Sequence, residues 1–235
     1  MLRRTGLRRL SVEPAMLSWD TSFFNRLVTD LYRKGFFLEP DLLQDQHRTR
    51  LIAEETRKLL ESHDSAMEIH PADADEAPQL CFLLASVVRS FPFEIRRRFK
   101  GLELNEKTFA SKLQWAGADG IHELHLDNAG VGGDLRKISV VYFAVGAEEG
   151  KTMSSWKLLN PIVSGENQLE EREFVSVEPE QGSLLVFWSD QIPHKVSKVP
   201  KGIEANLTVW IMSETLESIG VPINPEYRLA EISNS

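Results

Sequence analysis

The octapeptide IHELHLDN, residues Ile121–Asn128, carries a histidine and an aspartate one residue apart, His125 and Asp127. Alternation along a β-strand places residues i and i+2 on one face, so both side chains can point at the same atom. A second histidine, His194, lies in the later segment SDQIPHKVS. Two imidazoles and one carboxylate on one face of a divalent metal form the ligand set of non-haem Fe(II) sites. The sequence therefore predicts a metal site made of these three side chains.

A competing ligand, His122, lies three residues before His125. Residues three apart on a strand point to opposite faces, so the two histidines should not reach the same ion. We interpret His122 as a rim or surface residue. The H-x-D triplet is a weak pattern when taken alone, and the weight of the prediction comes from the segments that flank it.

The composition of the chain excludes several classes of function. The sequence has 235 residues and a net charge of −8, which argues against a nucleic-acid or anionic-membrane partner, because both need a basic face. No apolar run is long enough to span a bilayer. The single cysteine, Cys81, excludes an internal disulfide and a cysteine-based zinc site and is compatible with a reducing, intracellular compartment.

The first twelve residues, MLRRTGLRRLSV, contain four arginines and no acidic residue. This basic stretch is compatible with the start of an organellar transit peptide. The simpler interpretation is a frayed basic terminus, or an upstream start codon with an alternative start at Met16. We expect a cytoplasmic protein, or an organellar one if the stretch is a targeting segment.

The first half of the chain reads as helices. Apolar residues at 3–4 spacing predict a helix over Trp19–Gly35, and Phe36–Leu38 then reads as a short buried strand. Further elements are expected as follows: a second helix with Pro40 in its first turn, running to about Ser62; a polar loop over His63–Pro78; a third helix over Pro78–Ser90; and a short helix after Pro92.

From about Thr108 onward, short β-type runs alternate with Gly, Asn, Pro and charged residues. The intervals are too short for crossover helices, so the pattern predicts an antiparallel all-β unit. We expect a mainly β protein with a double-stranded β-helix (jelly roll) core flanked by N-terminal α-helices. The expected divisions are a basic tail over 1–18 and a single domain over 19–235, with helical support over 19–105, the core over 106–215 and a C-terminal tail over 216–235.

Four segments carry a resemblance to a known family. They are HLDN with a glycine-bearing loop and Arg136 leading into SVVYF, then VEPEQGSLLVFWSD, then PHKV around His194, and NLTVWIM twelve residues beyond that histidine. On these segments, the stretch from Lys112 to Met212 resembles the prolyl-hydroxylase branch of the Fe(II)/2-oxoglutarate dioxygenases, in particular the Egl-nine oxygen-sensing type. The resemblance covers under half of the chain.

The resemblance implies roles for individual residues. The iron ligands would be His125, Asp127 and His194. Arg136 matches a family arginine at the mouth of the site, near the substrate, whereas Thr208 and Trp210 match residues that line the 2-oxoglutarate pocket. The implied cofactors are Fe(II) and 2-oxoglutarate, with ascorbate as the reductant in assays.

The implied activity is hydroxylation of a C–H bond, with a prolyl residue of a protein or peptide as substrate. Two other functions stay open. The chain can be a metal-binding jelly-roll pseudoenzyme that acts as a sensor or interaction module, or a hydroxylase of a small molecule or free amino acid. Fold-level analogy alone does not decide among these functions.

The sequence departs from the family where the far carboxylate of 2-oxoglutarate would bind. The family arginine lies four residues before the threonine of the T-V-W segment, and counting back from Thr208 gives Glu204. An ionised glutamate would repel the carboxylate that an arginine attracts. A family tyrosine of the SVVYF strand aligns with Phe143, whereas the neighbouring Tyr142 would point the other way.

Three accounts of this departure are open. In the first, another cation binds the carboxylate: either Lys137, expected on the same strand face as Ser139 and Phe143, or the loop residues Lys198 and Lys201. In the second, the register near KGIEAN is shifted and the anchor lies elsewhere. In the third, the cosubstrate is not 2-oxoglutarate, or the site does not turn over.

Overall fold

The computed structural model describes residues 17, 19–63, 66–99, 101–116, 123–146, 154–159, 173–197 and 204–218. Its helices are Thr21–Lys34 (α1), Gln46–Ser62 (α2) and Pro78–Arg96 (α3). Its strands are Phe36–Glu39 (β1), Ala66–Glu68 (β2), Leu104–Trp115 (β3), Arg136–Val145 (β4), Trp156–Leu159 (β5), Phe174–Val177 (β6), Leu184–Trp188 (β7), His194–Val196 (β8) and Ala205–Ser213 (β9). The predictions for His122, Lys198, Lys201 and nearly all of the basic tail concern residues outside the described ranges, as does the C-terminal tail beyond residue 218.

Helix α1 confirms the first predicted helix. The Asp20 side chain accepts a hydrogen bond from the Phe23 backbone N–H at 2.7 Å and caps the N-terminus. Gly35 ends the helix with φ of 80°, a left-handed conformation that costs glycine little. The buried face carries aromatic and aliphatic side chains, each worth about 1.5–3 kcal/mol when fully removed from water. These side chains are Phe23, Phe24, Leu27, Val28 and Leu31.

Helix α2 begins at Gln46 rather than near Pro40, so the predicted start was wrong and the predicted end at Ser62 was right. The carboxylate of Asp45 accepts hydrogen bonds from the backbone N–H groups of His47 and Arg48, which otherwise lack partners in the first turn. This aspartate is therefore a stronger helix start than the proline five residues before it.

The region around Pro78 and Pro92 also differs from the expectation. The predicted loop over His63–Pro78 contains strand β2 and a 3-10 helix, Pro71–Asp73. Helix α3 continues through Pro92 to Arg96 instead of breaking there. A proline inside a helix removes one hydrogen bond and crowds the preceding turn. Here Phe91, Pro92 and Ile95 are all buried, and their packing favours the continuous helix.

The strands form two antiparallel sheets, which confirms the expected jelly-roll class. The larger sheet has the order β1-β7-β4-β9-β3-β2, and the smaller one has the order β6-β5-β8. Helices α1, α2 and α3 contact strands β7, β4 and β3 respectively, so all three helices support the larger sheet. Within the described residues, no helix combines the length and apolar character needed to cross a bilayer.

Candidate metal centre

Three side chains converge between the two sheets. His125 and His194 pair their backbones in an isolated antiparallel bridge, with N–O distances of 3.0 and 2.9 Å. The Asp127 Oδ1 atom lies 3.8 Å from His125 Nε2 and 3.7 Å from His194 Nε2. Ligand bonds of about 2 Å allow two ligand atoms of one ion to lie up to about 4 Å apart. One ligand atom from each residue lies within 4.8 Å of the others, so small side-chain movements bring all three onto one metal ion.

Both imidazoles are oriented through their second ring nitrogen. The Nδ1 atom of His125 lies 2.9 Å from the Glu123 carbonyl oxygen, and that of His194 lies 3.2 Å from the Ile192 carbonyl oxygen. A carbonyl oxygen only accepts hydrogen bonds, so each contact assigns the proton to Nδ1. Each Nε2 atom then carries the lone pair that a metal ligand needs, and it lies within 3.8 Å of Asp127 Oδ1.

The other oxygen of Asp127 is held from behind. Oδ2 accepts hydrogen bonds from the Ser139 hydroxyl at 2.5 Å and from the Trp210 indole N–H at 3.0 Å. The Ser139 hydroxyl also lies 2.7 Å from the Ser189 hydroxyl. These contacts fix the carboxylate so that Oδ1 faces the two imidazoles, and such supporting contacts tune metal affinity.

Aromatic rings shield His194 from water. Trp156 stacks on its imidazole with 5.6 Å between ring centroids and 10° between planes, and Phe187 contacts it at 4.7 Å. The His194 side chain is 3% exposed. This burial lowers the pKa of His194 below its ordinary value, although the Asp127 carboxylate opposes the shift. The neutral imidazole is the form that binds a metal.

Arg136 lies beside the triad on the pocket wall. Its guanidinium donates to both carboxylate oxygens of Asp134, with an Nε–Oδ2 distance of 2.9 Å. Its central carbon lies 5.3 Å from the centre of the Trp210 ring, within the range of a cation–π contact. The same tryptophan thus contacts both the arginine and the carboxylate of the triad.

The triad opens into a pocket of about 360 Å³. One wall is formed by neighbouring strands β3 and β9, where Lys112 lies opposite Thr208 and Gln114 opposite Asn206. We call these four residues the β3–β9 wall. The remaining lining residues are Ala116, His125, Leu126, Asp127, Arg136, Val141, Trp156, Phe187, His194, Val196 and Trp210.

The expectation that Lys137 faces the pocket was wrong. Strand β4 has an irregular register between Arg136 and Ile138, with one more residue than the opposing strand β9. Such a bulge reverses the alternation of side chains, which a regular strand would keep. Lys137 is fully buried on the far side, where its Nζ atom lies 2.7 Å from Asp190 and 5.6 Å from the centre of the Trp188 ring. Burial lowers the pKa of this lysine, and Asp190 opposes the shift.

The other predicted cosubstrate residues fall into two groups. Thr208 and Trp210 line the pocket, and Ser139 contacts Asp127 from behind. Phe143 packs edge-on against Trp156 at 5.6 Å and so supports the wall indirectly. Tyr142 points away, as expected, and burial raises its pKa.

Glu204 does not extend into the pocket. It is 3% exposed, and its Oε1 atom accepts a hydrogen bond from the Ser154 backbone N–H at 2.6 Å. Its own carbonyl oxygen accepts from Ala116 N–H at 2.8 Å. The residue therefore ties the start of β9 to two neighbouring segments.

Sequence reasoning missed Lys112 and Gln114 as pocket residues. They are two apart in the run TFASKLQWA, so they share a strand face, and this alternation was a usable signal. Their position beside Thr208 and Asn206 follows from the pairing of β3 with β9, two strands that are far apart in the sequence. The pocket aromatics Trp156 and Phe187 were missed for the same reason.

No protein-family model matches the sequence. No curated protein matches it either. Solved structures do match the fold. A Pseudomonas putida prolyl-4-hydroxylase matches with a TM-score of 0.61 and 21% identity, over 81% of this chain and 99% of that one.

Two other solved structures extend the likeness. A prolyl hydroxylase from Trichoplax adhaerens, in complex with a peptide of the hypoxia inducible factor oxygen degradation domain, matches with a TM-score of 0.62 and 18% identity, over 82% of this chain and 90% of that one. The α-ketoglutarate-dependent epimerase SnoN of nogalamycin biosynthesis matches with a TM-score of 0.55 and 12% identity, over 83% of this chain and 84% of that one. The chain therefore has the fold that these oxygenases share.

Proposed function

We propose that this chain is an Fe(II)- and 2-oxoglutarate-dependent dioxygenase that hydroxylates a prolyl residue of a protein or peptide. The observation that carries the proposal is the convergence of two oriented imidazoles and one carboxylate beside an accessible pocket. This ligand set leaves positions on the metal open for a cosubstrate and dioxygen. The fold shared with prolyl hydroxylases supports the same reaction class.

The bound ferrous ion would supply the dioxygen chemistry, with 2-oxoglutarate as the two-electron reductant. In the overall reaction, 2-oxoglutarate, O2 and a C–H bond give succinate, CO2 and a C–OH bond. One oxygen atom enters succinate and the other enters the hydroxyl group. The electrons and atoms of the reaction balance without a further reactant.

The residues of the chain supply geometry and a dry environment. Ser139 and Trp210 hold the Asp127 carboxylate, and backbone carbonyl groups hold the two imidazoles. Trp156 and Phe187 cover His194. A preorganised and shielded ligand set of this kind favours oxidation of the bound substrate over side reactions with water.

A peptide substrate is supported by a second groove beside the pocket. This groove, about 410 Å³ in volume, is lined by Met67, Phe109, Glu68 and His70 among others, and it shares Lys112 and Trp210 with the metal pocket. An extended segment could therefore place one residue in the pocket and a neighbour in the groove. Among the described strands, β2 lies at the edge of the larger sheet and borders the same groove, a position where an extended peptide can add by main-chain pairing.

The test measures succinate after incubation with Fe(II), ascorbate, 2-oxoglutarate and a library of proline-containing peptides. Mass spectrometry of the peptides should show the gain of one oxygen atom on proline. His194→Ala should abolish both signals, because it removes one of three ligands. The matched control His47→Ala changes an exposed histidine of α2 and should leave them intact.

One observation favours a second candidate, a metal-binding protein without 2-oxoglutarate turnover. Position 204 carries a glutamate where the resemblance implies an arginine. Absence of 2-oxoglutarate binding to the metal-loaded protein would support this candidate and contradict the dioxygenase. Binding of 2-oxoglutarate together with metal-dependent succinate release would exclude it.

A further inference from the structure

The pocket contains two strongly basic side chains among its described lining residues, Arg136 and Lys112. The guanidinium of Arg136 already pairs with Asp134 through three N–O contacts and lies over the Trp210 ring. Arg136 therefore lies at the triad end of the pocket, beside the tryptophan that contacts Asp127. Lys112 is the basic side chain of the β3–β9 wall, and it is half-buried there.

The strand register places Lys112 relative to Trp210, which contacts the triad. Along β9, Trp210 touches Asp127, and Thr208 and Asn206 follow on the same face. Lys112 lies opposite Thr208 on the neighbouring strand. Neighbouring strands lie about 4.8 Å apart, and two residues along a strand span about 7 Å. The backbone of Lys112 is therefore one strand across and two residues along from the backbone of Trp210. Its flexible four-carbon stem can carry the ammonium group into the pocket.

Gln114, two residues along the same strand face, provides an independent sign of a ligand. Its Oε1 atom is buried and has no hydrogen-bond partner among the residues that the structure describes. A buried polar atom without a partner costs about 1–3 kcal/mol unless a ligand or water satisfies it. Because the oxygen and nitrogen of an amide are interchangeable by rotation, this group can donate to an anion as well as accept.

We propose that Lys112, with Gln114 beside it, binds the carboxylate of 2-oxoglutarate that is remote from the metal. This assignment rests on the proposed function. It places the anchoring cation on β3 instead of at position 204 on the approach to β9, where Glu204 is engaged with the Ser154 backbone. A charge-assisted hydrogen bond from an ammonium group to a carboxylate is the interaction that this position offers.

The competing use of Lys112 is in the peptide groove. Lys112 lies opposite Glu68 of β2 and lines the groove as well as the pocket. A lysine that serves the groove would change the affinity for peptide, not the affinity for 2-oxoglutarate. The two uses therefore predict different outcomes for the same substitution.

The experiment is titration calorimetry on protein loaded with Zn²⁺, which occupies the triad without redox chemistry. The ligands are 2-oxoglutarate and 2-oxovalerate, which share a five-carbon chain and differ in the remote carboxylate. Lys112→Met should weaken 2-oxoglutarate binding by about 10–100-fold, the loss expected for one charged hydrogen bond. It should leave 2-oxovalerate binding unchanged, because that ligand has no remote charge.

Two further variants keep the result interpretable. Lys107→Met removes the same charge from an exposed position of β3 and should change neither affinity. Lys112→Arg should retain most of the preference for 2-oxoglutarate, which a merely structural role of Lys112 would not predict. Unchanged 2-oxoglutarate affinity in Lys112→Met, with weaker peptide binding, would overturn the proposal and leave the dioxygenase assignment standing. Failure of the wild-type protein to bind either 2-oxo acid would overturn both.

Discussion

The metal triad and the β3–β9 wall lie in one pocket but relate differently to the sequence. The triad residues His125, Asp127 and His194 occupy the positions that the family resemblance implies, and their side chains converge. At the wall, the implied arginine is absent, and Glu204 contacts a backbone N–H group instead of the pocket. The metal-binding part of the pocket therefore follows the family pattern, whereas the part that would hold the remote carboxylate does not.

The contrast has a physical basis. A metal ion demands particular donor atoms at short distances, so few substitutions of a ligand retain binding. A carboxylate needs only a positive charge and hydrogen-bond donors, which several strands around a barrel can supply. We expect the wall to tolerate relocation of its charge far better than the triad tolerates relocation of a ligand.

The largest expected effect is the loss of stability on substitution of Lys137. It tests whether this lysine stabilises the fold or binds the cosubstrate. Lys137→Met should lower the free energy of unfolding by about 3–5 kcal/mol, because it removes the cation that pairs with the buried Asp190 carboxylate. Chemical denaturation measures this loss. The folded variant should bind 2-oxoglutarate like the wild type, since the side chain lies behind the strand.

Two controls accompany this variant. Lys157→Met changes an exposed lysine of β5 and should alter stability by no more than about 0.5 kcal/mol. Adding Asp190→Asn to Lys137→Met should recover much of the loss. A stable Lys137→Met protein that does not bind 2-oxoglutarate would show that Lys137 faces the pocket, and it would refute the bulge interpretation.

An intermediate effect is expected for Trp210, which joins the triad to Arg136. Trp210→Phe keeps an aromatic ring but removes the indole N–H that donates to Asp127. A hydrogen bond to a charged group is worth about 1.5–3 kcal/mol, so metal affinity should fall by about 10–100-fold. Competition with a metal-binding dye measures the affinity.

Trp188→Phe is the matched control for this substitution. Its indole N–H donates to the Leu31 carbonyl oxygen, so the loss should appear in stability and not in metal affinity. Equal metal affinities of wild type and Trp210→Phe would mean that Ser139 alone orients the carboxylate.

The smallest effect is expected for Glu204, the residue at which the family pattern fails. Glu204→Gln keeps an oxygen that can accept from the Ser154 N–H group, and it removes only the charge. Affinity for 2-oxoglutarate should stay within about twofold of wild type, because the carboxylate is not directed at the ligand. An increase of about tenfold or more would show that the glutamate does repel the cosubstrate. Calorimetry on the zinc-loaded variant distinguishes these results.

Much of the fold was predictable because its signals are local. The capping of α1, its apolar stripe and the alternation of the later strands each involve residues within a few positions of one another. The errors arose where two local signals competed. Pro40 indicated a helix start but Asp45 provided the cap, and Pro92 indicated a break that the packing of Phe91 and Ile95 overrode.

The site shows the same division between local and distant information. The pair His125 and Asp127 could be identified from a single strand-like triplet. The assignment of His194 as the third ligand required the family pattern. The error at Lys137 came from a bulge, since the extra residue in β4 changes the side on which Lys137 lies and leaves no mark in the composition.

Taken alone, the amino-acid sequence specified the donor atoms, the antiparallel β-rich class and the absence of an arginine at position 204. The folded chain decided which cations reach the pocket. It buried Lys137 against Asp190, directed Glu204 to Ser154 and set Lys112 beside Thr208. Donor chemistry is a property of single residues, but orientation depends on strand register, and register is set by pairing between segments that lie far apart along the chain.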